Sequence, residues 1–509
     1  SFDKGACTSD KVALLQQRLN NIEVTHREEI QQIRSSVERL AAQLESSTVV
    51  TEPAIVNKDH AGPHCADIVQ SGILSEGEWE ELYHFFRENC YNVIGFMDDE
   101  LYKTQSFVRQ HPLTSTAICV IAARAIRQER YQTYLAHAHE LIKNTFVGPT
   151  PDIHAVRAMM LLTAWTGQSR LWGYIGSVST ELGLNTAALQ LGDEAVAHTA
   201  DLVQRARTWF TLCCFDLTYA RSHARSHASN VLHLNRPFVI NRMRDYLPFA
   251  KRLLTSPYTQ PVDHRICAYI VGFTITADAK AQLPKSGLQL NPMPQEAIQL
   301  LESFDQSIDR WFHKINNTIE PVYQTFVDKQ DRNRFLIPYT FMKIYINGFA
   351  LHGMDGSENL PDLNRISFVQ KALNNAHLLI QTQCRSQGIR RRFKYTIDYI
   401  GTTTYHAINL ILKALSCAHQ YLDYEESFMA LHQATILLEE AGAVEAAKEV
   451  RREHERLALL TQTAMSSTEE HFAPEPTAID DENLFDIPSF LNAATWGEPF
   501  PVLDTYMLD

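Results

Sequence analysis

Between Glu76 and about Ser466 no stretch of this chain alternates apolar and polar residues with a sustained period of two. That constrains the fold more than any other feature. Strands are not required, and the apolar residues must be buried by helices. Composition agrees. Glycine is scarce, at 20 residues of 509, about half the usual share of roughly 7%. Leu, Ala, Gln and Glu are frequent, and these favour helix. With 45% hydrophobic and 21% charged residues, there is apolar material for one large core or two smaller ones. The expectation is an all-α fold.

Individual helices follow from local pattern. Ala155 to Trp165 is apolar nearly all round and reads as a buried helix. Trp172 to Leu182 is another, stopped by a C-cap at Gly183. Leu202 to Ala220 is a third. Later helices are expected over Pro294–Asn316, Asn333–Gly353, Phe368–Gln387, Thr403–Tyr424 and Ser427–Thr461. Successive helix pairs have the look of a loose solenoid, without a clean fixed-period repeat.

The N-terminal part has a different pattern. From Asp10 to Glu45, large apolar residues fall at Val12, Leu15, Leu19, Ile22, Ile30, Ile33, Val37, Leu40 and Leu44. Steps of three and four alternate on each side of His26, where an extra four-residue step reads as a stutter. The stripe is narrow, so a parallel two-stranded coiled coil is expected over a single helix lying on the body. Residues 10–45 are therefore assigned to dimerisation. Residues 46–75, with Pro53, Gly62, Pro63 and Gly72, read as a linker. Residues 76–466 are the helical body, and 467–509 a tail.

Charge separates the tail from the rest. The formal net charge is −13, yet Glu469 to Asp509 holds ten acids and no Lys or Arg. The remaining residues are left near neutral, at −3. Neither part has the clustered cations of a phosphate-binding surface. The tail also has five prolines after Phe472, and is expected to be disordered when alone. Within it, Leu484, Phe485, Ile487, Phe490 and Leu491 approximate an amphipathic stripe, limited by Pro488. Trp496 and Phe500 extend the apolar set. Acids keep such side chains solvated until they insert into a hydrophobic groove and fold there.

Positive signs of catalysis are lacking. Met97–Tyr102 (MDDELY) pairs Asp98 with Asp99, as a diphosphate-handling magnesium site would, but a second such motif is not evident. Acids in the first turn of a helix are the favoured reading. His137 and His139 point to different sides. His223 and His227 share a helical face but have no third ligand at a useful spacing. No nucleophile elbow, Walker loop or dinucleotide fingerprint is present, so no enzyme is expected. The basic run Arg390–Lys394 (RRRFK) offers a nuclear-import or phosphate patch, with a solvated helix end favoured. The nine cysteines, at 7, 65, 90, 119, 213, 214, 267, 384 and 417, contain no C-x2-C pair. Reduced thiols in a reducing compartment are expected. No apolar run reaches 18 residues and no signal peptide is seen. A chain that neither spans a membrane nor is secreted is expected.

The order of parts, and three stretches of the body, resemble fungal zinc binuclear cluster (Zn(II)2Cys6) transcription factors. Met159–Asn185 resembles that family's middle homology region, with Trp172 on a helix that ends in Glu181, Leu182, Gly183 and Leu184. Arg205–Ala220 resembles the next family helix, with Arg205 or Arg207, Trp209 and Asp216 in place. Asn235–Ile240 (NRPFVI) resembles the Gly-Arg-Pro turn, with Arg236 and Pro237 kept and Asn for Gly. Cys90–Tyr102 sits where the family's domain opens. The likeness covers residues 85 to 250 well and the rest loosely.

One departure is large. The six-cysteine zinc cluster is absent, and Cys7 alone cannot make it. The family places that cluster just before the coil, so the expectation is a factor truncated after its zinc module. By resemblance, the chain is the dimerisation, regulatory and activation portion of a nuclear transcription activator of RNA polymerase II. Its partners would be a second copy through the coil, a coactivator through the tail and a small-molecule effector in the body. DNA would be bound through the missing zinc cluster, with no cofactor in this chain and no membrane. Trp172, Arg205, Arg207, Trp209, Asp216, Arg236 and Pro237 would line a ligand pocket or, the favoured reading, hold the Arg-Pro turn on its helix. Two other classes remain: a structural scaffold or non-DNA-binding regulator built on the same helical body, and a helical enzyme. An acidic-aromatic tail separates the first from the scaffold, and turnover of any substrate would identify the enzyme.

Overall fold

Ser75 opens helix α1 (Glu76–Asn89) with a capping box. Its Oγ accepts from the Glu78 amide, and the Glu78 carboxylate accepts from the Ser75 amide at 2.9 Å. Those hydrogen bonds hold the Glu78 carboxyl below its usual range. Trp79, Leu82, Tyr83 and Phe86, at steps of three, one and three, form the buried face of the helix. Each such side chain contributes about 1.5–3 kcal/mol by leaving water.

The computed structural model describes residues 66–467, apart from 92–98, 148, 167–170, 223–239, 241–242, 319–334, 353, 355–361, 396–397, 419–421 and 423. All of these belong to one compact unit, Pro63–Asp509; the other unit, Ser1–Gly62, lies outside them. The expected dimerisation seam (Val12 to Leu44) and activation residues (Leu484 to Phe500) therefore fall outside the described residues, as do Arg236 and Pro237.

After α1 come α2 (Asp99–Tyr102), α3 (Gln105–Arg109), α4 (Pro112–Ile126), α5 (Gln128–Asn144) and α6 (Ile153–Thr166). Helix α4 packs on α1, α5 and α6. It is buried on every side from Leu113 to Ala123, as α6 is from Val156 to Thr166. Then follow α7 (Leu171–Glu181), α8 (Leu184–Gly192), α9 (Ala200–Ser222), α10 (Met243–Tyr246) and α11 (Pro261–Gln282). Helix α9 lies between α8 and α11. The last group is α12 (Gln295–Thr318), α13 (Leu336–Asn347), α14 (Leu363–Arg385), α15 (Gln387–Arg392), α16 (Asp398–Ala418), α17 (Tyr424–Glu440) and α18 (Val444–Ser467). Here α14 is central, packing on α13, α16 and α17. No strand occurs among the described residues, so the all-α expectation holds for them. None of their helices is long and apolar enough to cross a membrane.

Polar side chains fix the junctions. Buried Arg365 on α14 donates to the carbonyls of Ala350, Leu288 and Leu290 at 2.7–2.9 Å, pinning two connecting segments at once. Lys343 on α13 pairs with Asp305 on α12 at 2.5 Å, and Asn347 donates to the same carboxylate at 2.7 Å. Trp165 on α6 donates to the Tyr395 carbonyl at 2.9 Å, joining segments 230 positions apart.

Three expectations need correction. Ser427–Thr461 is not one helix but two, α17 and α18. Gly442 stands between them at φ +83°. Its amide donates to Glu439 O at 3.0 Å, while Ala443 N donates to Leu438 O at 2.9 Å. This pair of bonds satisfies the last carbonyls of α17 and requires a left-handed residue. Residues 66–75, read as linker, instead pack on the body. Ile68 and Leu74 enter the core, and buried Asp67 accepts from Ser115 Oγ at 2.8 Å and from Arg109. The expected helix Asn333–Gly353 ends as α-helix at Asn347 and tightens into a 3-10 turn over Gly348–Leu351.

Candidate functional site

Helices α7 and α9 bring most of the singled-out residues together. Asp216, 2% exposed on α9, is the centre. Its Oδ1 accepts from Trp172 Nε1 on α7 at 3.1 Å, and its Oδ2 accepts from the Ile240 amide at 2.9 Å. Ile240 closes the Asn235–Ile240 stretch, so one carboxylate ties three separate sequence motifs together. Trp172 also meets the Phe215 ring edge-on, with centroids 5.8 Å apart. A buried carboxylate must have donors to stay ionised in place, and here two come from different segments.

Arg205 serves the turn between α7 and α8. Its Nη2 donates to the Leu182 carbonyl, within the Glu-Leu-Gly-Leu stretch. Gly183 takes φ +67°, as its C-cap assignment requires. A Cβ on Gly183 would stand 3.5 Å from Arg205 Nη2, so the guanidinium covers this turn.

Arg207 faces another way. It is 1% exposed and binds Asp263 on α11, which is 0% exposed, through Nε–Oδ1 at 2.6 Å and Nη2–Oδ2 at 2.9 Å. The same Nη2 donates to the Tyr258 carbonyl at 2.9 Å. Asp263 also accepts from the Gln260 amide at 2.8 Å. Trp209 is buried, edge-on to Tyr246 with centroids 5.4 Å apart. Its Nε1 finds no acceptor among the described residues. Arg207 thus binds Asp263, while Asp216 accepts from Trp172 and Ile240.

Sequence reasoning missed two members. Arg157 on α6 is buried and donates to Thr208 Oγ1 at 2.9–3.0 Å and to Gln204 Oε1 at 2.9 Å, both on α9. Its signal was a lone arginine inside an otherwise apolar helix. Asp263 was the other. Its signal was an acid two positions after a proline, in the first turn of a helix.

The remaining candidates are dispersed. Asp98 lies outside the described residues, and Asp99 begins the one-turn helix α2. Tyr102 from the same motif is buried, with its hydroxyl 2.6 Å from His154 Nδ1. Burial, then the nearby charges of His111 and Arg157, lower His154 to about 4. His137 is half-buried and lowered by burial, while His223 and His227 fall outside the described residues. Arg390–Lys394 runs from the end of α15 into a 3-10 turn whose Phe393 is buried. Burial pushes the Cys90 and Cys267 thiols up to about 12 and Cys119 and Cys213 well above their usual value. They are therefore protonated and unreactive near neutral pH. Among the described residues, no three His, Cys, Asp or Glu gather to hold a metal ion.

No protein-family model, curated protein or solved structure matches this chain.

Proposed function

We propose that this chain is the dimerisation, regulatory and activation portion of a nuclear transcription activator of the fungal zinc binuclear cluster type. One observation carries the reading. The three stretches that carry the resemblance are in contact: Asp216 accepts from Trp172 and Ile240, and Arg205 donates to the Leu182 carbonyl. Stretches that carry one family's features are expected to pack on one another, and this packing supports the reading. On this reading the junction is architectural: it anchors Ile240 to α9, while the coil pairs two protomers and the acidic-aromatic tail engages a coactivator.

The test is a reporter assay. The full chain is fused to an unrelated DNA-binding domain, beside a version with Phe485→Ala, Phe490→Ala and Trp496→Ala. Strong activation by the first and loss in the second is the expected result. Silence of the wild-type fusion, with normal protein levels in the nucleus, would overturn the reading and favour a scaffold.

A further inference from the structure

The basic turn after α14 forms a second candidate site, unrelated to the Asp216 junction. Gln387, Arg390, Arg391, Lys394 and Glu440, the last at the end of α17, line an open cleft of about 450 Å³. Local contacts hold the turn. Ser386 caps α15 by accepting from the Ile389 amide, Gly388 and Phe393 are buried, and Tyr395 meets Phe85 edge-on at 5.3 Å. Glu440 engages Arg390 through Nε, at 2.6 Å, and Nη2. That contact orients the guanidinium and uses one edge of it. Neither Arg391 nor Lys394 makes an ion pair among the described residues, and both are exposed. The cleft thus presents two uncompensated cations and one oriented arginine on a fixed frame.

We propose that this cleft binds a small phosphorylated molecule. Its volume falls in the range of small-ligand pockets, about 300–1,000 Å³, and its five lining residues present charged or amide end groups above aliphatic stems. An apolar ligand would leave those groups poorly solvated, whereas a multiply charged anion replaces their water with charge-assisted hydrogen bonds. Arginine forks beside a lysine suit the several oxygens of a phosphate group. A nucleic-acid strand is less suited, because three cations at one turn neutralise few of the phosphates along a backbone. The inference does not depend on the transcriptional reading, and either can fail alone.

The test is calorimetric titration of the full chain with pyrophosphate at low ionic strength. Citrate and sodium chloride of matched ionic strength serve as comparators. The variant is Arg391→Ala with Lys394→Ala, both exposed, and circular dichroism checks that its helix content is unchanged. Saturable binding of one pyrophosphate per chain, weakened at least about tenfold in the variant, is expected. Absence of saturable binding, or equal binding by variant and wild type, would overturn the proposal. Tighter binding of citrate than of pyrophosphate would also overturn it, by assigning the cleft to carboxylates.

Discussion

Arg207 and Asp263 are ionised side chains held in a place with almost no water, 56 positions apart in sequence. Removing one partner strands the other. Arg207→Met should therefore destabilise the body by about 3–5 kcal/mol. Arg207→Met combined with Asp263→Asn should recover most of that loss, because no unpaired charge remains and the amide oxygen still accepts from Gln260. Urea denaturation of the three proteins checks this. Equal instability of the single and double variants would mean that the pair is valued for its shape and not its charge. The same contrast explains what sequence could show of the site. Trp172, Arg205, Arg207 and Asp216 stood out by their types and order. Their partners did not: Asp263 and the Leu182 carbonyl become visible only when α11 and the α7–α8 turn are brought to α9.

Helices were legible where burial was uniform. Helix α6 is buried from Val156 to Thr166, and α7 is bounded by the Gly183 turn, so their existence and approximate ends followed from local pattern. The α17–α18 break was hidden for the opposite reason. Apolar residues continue in helical rhythm on both sides, at Leu437, Leu438, Ala446, Ala447 and Val450, all buried. One glycine interrupts them, and a glycine inside a helical pattern is tolerated often enough to pass unremarked. Its φ of +83° shows what it does. A Cβ there would meet nothing within 4 Å, so the cost of a side chain is purely conformational. Gly442→Ala should destabilise by about 1–2 kcal/mol, read as a lowered denaturation midpoint with an unchanged slope. A neutral result would mean that the α17–α18 turn can adopt another cap. Residues 66–75 were misread for a related reason: their turn residues signalled a linker, while Asp67, Ile68 and Leu74 are taken into the body by partners far along the chain.

At the scale of the whole molecule, the charge distribution and the heptad seam predict an assembly. The body is nearly neutral, so repulsion between two copies resides mainly in the acidic tails and not in residues 10–45, which carry the seam. A seam of nine large apolar residues, exposed in a lone helix, is unfavourable in water and is relieved by a second copy in parallel register. The full chain, 58.0 kDa per protomer, should therefore sediment at twice that mass. Leu19→Lys with Ile33→Lys places a cation in the seam on each side of the stutter. That change should return a monomer, because each pair of facing lysines would be desolvated without a counter-charge. Helix content of the body should be unaffected, as measured by circular dichroism after correction for the coil. Salt separates the seam from any ionic association: high ionic strength screens contacts between charges but leaves the apolar seam intact. A wild-type dimer that dissociates in salt, or a lysine variant that stays dimeric, would move the interface away from residues 10–45.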